Sequence, residues 1–173
     1  FSEKAVFIKE LVQRKNQYVA AGWSWYALEH ASEELRADRE LVLKSVEIDG
    51  SDLKYASDEL KADKEVVLRA INSVGSSLEY ATENLRADRA FIMIAVEENG
   101  SALEYASDVL RADKGVVLRA INSDGCALEY ASDVLKADRE VVMMALKENG
   151  CALEYVSDDL RADRQVVFKA VTS

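Results

Sequence analysis

The side chains able to do chemistry in this chain come in ladders. Glu79, Glu104, Glu129 and Glu154 recur at one interval, with Glu83, Asp108, Asp133 and Asp158 four residues on. Such a line of carboxylates could hold cations or a basic partner. No D-x-D-x-D-G spacing of a calcium loop accompanies it. Arg86, Arg111, Lys136 and Arg161 stand close by, so the expectation is a solvated, charge-balanced face. His30 is the one histidine. A metal site needs a second His or a Cys at ligand spacing, and a catalytic base needs a nucleophile and an orienting carboxylate. Glu29 is adjacent in sequence, but neighbouring residues on a helix point apart. No metal or cofactor is expected. Cys126 and Cys151 share one register, where other units place Ser51, Ser76 and Ser101. Equivalent positions on packed helices lie roughly 8–10 Å apart, beyond the ~7 Å that a disulfide spans. Both are read as free thiols, which favours a reducing intracellular compartment.

A tyrosine ladder runs Tyr55, Tyr80, Tyr105, Tyr130, Tyr155, each two residues past a leucine. Stacked tyrosines could receive an extended peptide. The simpler expectation is that they seal neighbouring units, with each hydroxyl bonded to a carbonyl. An active site is a single asymmetric constellation, whereas these polar features come in five or six copies, so no enzymatic activity is expected. Function is sought where the pattern breaks. Trp23, Trp25 and Tyr26 form an aromatic joint behind the basic Arg14 and Lys15. His30 takes a tyrosine register, and Ile94 and Met144 replace the Arg69 and Arg119 of other units. These six residues, Trp23, Trp25, Tyr26, His30, Ile94 and Met144, are the candidate partner contacts.

What positions them is a repeat of 25 residues. Leu28, Leu53, Leu78, Leu103, Leu128 and Leu153 mark it, as do Asp38, Asp63, Asp88, Asp113, Asp138 and Asp163, each between Ala and Arg or Lys. A fixed period in the twenties signals a stacked array. Within the unit at 101–125, Leu103, Ala106 and Leu110 make one helical stripe, opened by the S-x-x-E capping box of Ser101 and Glu104, as by Ser76 and Glu79 one unit earlier. A second helix begins at Asp113, whose carboxylate can cap it. Val116, Val117, Ala120 and Ile121 face inward, and Gly125 is expected to end the helix in a left-handed conformation. One such hairpin buries too little apolar surface to stand alone, so stacking is required. A longer rhythm overlies the period, since 62–75 closely matches 112–125.

The fold class is therefore all-α: an α-solenoid of six 25-residue helix-hairpin repeats, paired into 50-residue units. Residues 1–26 are read as an N-terminal partial repeat plus the irregular aromatic joint, and 27–173 as one continuous domain. No polar cap follows Val171, so further chain or a partner is expected there. The formal charge of −10 and pI near 4.7 disfavour nucleic acid, and no apolar run reaches the ~20 residues of a membrane span.

The pattern D-[RK]-x-V-V-x-x-A-[IV]-x-x-x-G-x-x-L-x-Y-A-S, over about residues 27–173, resembles a family of tandem repeats known as a domain of unknown function in bacteria, viruses and single-celled eukaryotes. The resemblance implies a helical repeat fold and no particular activity. The expectation for function is a non-catalytic protein–protein interaction scaffold or spacer, including a peripheral structural subunit of a larger membrane or organellar assembly. Protein partners are expected; nucleic acid and direct membrane insertion are not. The alternative is an accessory repeat region of a longer enzyme or effector.

Overall fold

The computed structural model describes residues 27–173, together with Val6 and Lys9. Trp23, Trp25 and Tyr26 lie outside the described residues. Two compact units divide the chain, residues 1–82 and 83–173. Among the described residues every regular element is helical and the elements recur with the expected period.

Each repeat contributes one long helix: α1 (Arg39–Ile48), α2 (Lys64–Ser73), α3 (Arg89–Glu98), α4 (Lys114–Ser123), α5 (Arg139–Glu148) and α6 (Arg164–Val171). Their starts follow from the sequence. In α4 the Asp113 carboxylate accepts from the Val116 N–H at 3.0 Å, and Val116, Val117, Ala120 and Ile121 are fully buried. Neighbouring long helices pack on one another, α1 on α2 in the first unit and α3 through α6 in series in the second. In α6 the register that is fully buried at Ile121 is Val171, which is 73% exposed.

The first arm of the repeat is bent where the sequence suggested one helix. It consists of a 3-10 helix, Gly100–Tyr105 in the fourth repeat, and a one-turn α-helix, Asp108–Arg111. Ala106 and Ser107 between them are extended. A continuous helix would send the Ser107 N–H to a carbonyl within its own arm. Instead it donates to the Arg86 carbonyl of the preceding repeat at 3.0 Å. The same link joins Ser57 to Arg36, Thr82 to Lys61, Ser132 to Arg111 and Ser157 to Lys136. Leu103, Ala106 and Leu110 remain buried, but across a bend.

Two cap assignments change. Ser101 does not cap the arm; it lies inside the 3-10 helix, and its N–H donates to Asn99 Oδ1 at 3.1 Å. Asp49, Asp124 and Asn149 act in the same way, while at Val74 no side chain caps, so Ser76 and Glu79 make no box. Nor does Gly125 end α4 in a left-handed turn. The C-cap is Asp124, in extended backbone at φ −148°, and Gly125 opens the next 3-10 helix. Glycine is needed there for proximity. A Cβ on Gly125 would stand 2.8 Å from Asn149 Cβ, 2.9 Å from Asn149 N and 3.0 Å from the Ala145 carbonyl, all in the following repeat. One on Gly100 would stand 2.7 Å from the Ala120 carbonyl.

This gives a paired prediction. Gly125→Ala should cost about 1–3 kcal/mol by overpacking two backbones. Gly115→Ala, on the exposed first turn of α4, meets no backbone, only side-chain atoms of Arg89 at 3.1 Å and Asp113 at 3.2 Å, and should be neutral or stabilising by up to about 1 kcal/mol. Urea denaturation of both variants checks it; equal effects would refute the close-approach account.

Candidate interaction surface

The charges that the sequence placed beside each helix start bind repeats to one another. Asp63 uses one carboxylate oxygen for its own helix, accepting from the Glu65 and Val66 N–H groups at 2.9 and 3.1 Å. Its other oxygen accepts from Arg39 Nε of the preceding repeat at 2.9 Å. Arg89 reaches Asp113 at 2.8 Å. Lys114 reaches Asp138 at 2.9 Å and Glu140 at 2.6 Å, and Arg139 reaches Asp163 at 2.8 Å and Gln165 at 2.8 Å. The cation of the preceding repeat is the foremost cause holding the Asp63, Asp113 and Asp138 carboxyls below their usual range, and it takes Asp163 from 3.8 to about 2. The cations are half-exposed, so solvent screens each pair and its contribution to stability is small. These pairs fix register more than they add stability.

A second set of pairs follows the 50-residue rhythm at two places. Arg69 on α2 reaches Glu47 on α1 at 2.9 Å, and Arg119 on α4 reaches Glu97 on α3 at 3.2 Å. Where Ile94 and Met144 take the arginine register, the corresponding glutamate positions carry Asn72 and Asn122. Cation and anion are thus lost together. Ile94 on α3 and Met144 on α5 are 49% and 40% exposed, in the same register as Arg119 on the helix between them. The sequence singled out both, and the structure places them at the surface of one unit. His30 is exposed at the end of the 3-10 helix Ala27–His30, in the other unit.

The other ladders lie on the opposite arm. Arg111 pairs with Asp108 and Arg161 with Asp158, each at 2.7 Å, within the short helices. The tyrosines are half-buried. The Glu129 carboxylate of the preceding repeat, first among the causes, pushes the Tyr155 phenol up; burial followed by Glu129 does so for Tyr130. These phenols therefore sit among carboxylates. Cys126 and Cys151 are both free, and Asn149 Nδ2 donates to Cys126 Sγ at 3.2 Å. Between successive short helices run shallow grooves. One of about 370 Å³ is lined by Asp108, Arg111, Glu129, Tyr130, Ser132 and Asp133, among others. Among the described residues no group of three or more His, Cys, Asp or Glu could hold a metal ion, and no helix is long and apolar enough to cross a membrane.

Sequence reasoning missed two features. Val109 and Val134, 78% and 79% exposed on consecutive short helices, occupy a register that carries Glu34, Glu59, Asn84 and Asp159 elsewhere; comparing that column would have found them. The second is a buried polar pair, in which the Ser45 hydroxyl donates to the Asp52 carboxylate at positions where other repeats have mostly alanine.

Because the Asp163 carboxyl is held low when folded, its contribution is complete above pH about 3.8 and is lost as pH falls toward about 2; Asp63, Asp113 and Asp138 act in the same direction. Urea midpoints should drop across that window. Asp113→Asn keeps a capping side chain and loses the pair with Arg89, so it should cost about 0.2–1 kcal/mol. Asp113→Ala loses both and should cost about 1–2. Equal costs would contradict the double role.

No curated protein and no solved structure matches the chain. The family described as Domain of unknown function (DUF4116) matches residues 7–61, 38–86, 63–111, 88–136, 113–161 and 138–173. Apart from the first, each stretch begins on the aspartate that caps a long helix, and the complete ones end on the last Arg or Lys of a short helix. The family unit therefore spans two 25-residue repeats, enough to contain one whole contact between neighbours. The chain belongs to this family, as a tandem array of its helical repeats.

Proposed function

We propose that this array is a non-catalytic protein-interaction scaffold or spacer, suited to serve as a peripheral subunit of a larger assembly. One observation carries the reading. The recurring aspartates Asp63, Asp113, Asp138 and Asp163 are taken up in caps and in pairs between repeats, whereas Ile94 and Met144 are apolar departures from the repeat that stand at the surface. They flank Arg119, which Glu97 holds in place. Apolar groups beside a positioned arginine are the kind of surface on which protein contacts concentrate their energy. Repetition also favours this reading, because copied polar features set no pair of titratable groups apart for acid–base work.

Replacing Ile94 and Met144 together by arginine installs the residue that Arg69 and Arg119 already provide in that register, so the fold is expected to hold. The prediction is an unchanged melting temperature and at least about tenfold weaker retention of the partner recovered by native affinity purification and identified by mass spectrometry. Full retention of that partner would contradict the assignment of this surface.

A further inference from the structure

Val109 and Val134 are the most exposed large apolar side chains among the described residues, at 78% and 79%. Both project from one-turn helices of consecutive repeats in the 83–173 unit. Neighbouring repeats in a stack place equivalent positions roughly 8–10 Å apart. Between the two helices lies the groove of about 370 Å³, lined by the carboxylates of Asp108, Glu129 and Asp133, by Tyr130, and by the cations of Arg111 and Lys136. Arg111 is already taken by Asp108 at 2.7 Å. The surroundings are acidic: after burial, the carboxylates of Glu129, Glu104 and Asp124 push the Tyr130 phenol up.

We propose that this rim docks a basic amphipathic helix of another protein, its two apolar side chains covering Val109 and Val134 and a lysine or arginine between them entering the groove. The spacing fits a helix, in which residues i and i+7 lie about 10.5 Å apart on one face, with i+3 and i+4 between them. The charge favours this partner over the nearest rivals. A second copy of a chain of net charge −10 would bring carboxylates against carboxylates, and an acidic partner would do the same. The inference rests on the scaffold reading and adds the chemistry of a partner, at a surface distinct from Ile94 and Met144.

The test uses a fluorescein-labelled alanine-based peptide carrying leucine at i and i+7 and lysine at i+3 and i+4, with a control in which glutamate replaces the lysines. Fluorescence anisotropy should show binding of the lysine peptide and none of the glutamate peptide. The double variant Val109→Glu with Val134→Asp uses residues found at that register in Glu59 and Asp159, so it should fold. It should weaken binding at least about tenfold, even though it adds negative charge that would tighten a purely electrostatic association. Equal or tighter binding by the variant would overturn the proposal, as would absence of binding by the lysine peptide. A dimer seen in sedimentation and abolished by the variant would overturn it in favour of a second copy. The Ile94 and Met144 arginine variant should retain peptide binding; its loss of a partner is judged separately, so either reading can fail without the other.

Discussion

The structure depends on how closely one repeat lies against the next. A unit of 25 residues cannot enclose its own apolar stripe, so stability comes from the contact between units. That contact is set by backbone. The N–H at the bend of the first arm, at Ser57, Thr82, Ser107, Ser132 and Ser157, bonds a carbonyl at the end of the preceding short helix, and a glycine without Cβ lets the following helix approach. Both conditions are local to the chain and neither depends on long side chains. Valine, isoleucine and alanine fill the space so defined, with Ala120 and Ala145 fully buried where a larger residue would hold the helices apart.

The charged residues act at a second level. Asp63, Asp113, Asp138 and Asp163 each start a helix and receive the cation of the repeat before. A displacement by one residue would break cap and pair together, so the pairing specifies register although each pair is weak. The Glu47–Arg69 and Glu97–Arg119 pairs add an alternation by twos. This agrees with the length of the family unit, which spans two repeats. The surface that remains is permitted to vary, and it varies at Ile94, Met144, Val109 and Val134.

Much of this was legible in the sequence. The period, the buried stripe of Val116, Val117, Ala120 and Ile121, the capping role of Asp113 and the free state of Cys126 and Cys151 follow from local chemistry and spacing. The bend at Ala106 and Ser107 was not, because the bond that creates it is made to another repeat and local spacing still reads as helix. Gly125 was assigned a left-handed turn because that is glycine's commonest use beyond a helix, whereas here proximity selects it. The double role of Asp113 was hidden for a similar reason: its partner Arg89 is 24 residues away and looks like any repeated surface charge. At the candidate surfaces, Ile94 and Met144 were found as breaks in the pattern. Val109 and Val134 were passed over because a valine on a helix is expected to be buried.

Amide hydrogen exchange at Ser107, Ser132 and Ser157 tests the central claim most directly. Each of these N–H groups is bonded to a carbonyl of the preceding repeat, at a bend where a one-turn helix alone would give little protection. The account predicts protection comparable to that of the long-helix amides of the same repeats, lost together with theirs on denaturation. Exchange at the rate of open loop amides, while the long helices stay protected, would show that repeats are held by side-chain packing alone and would contradict it.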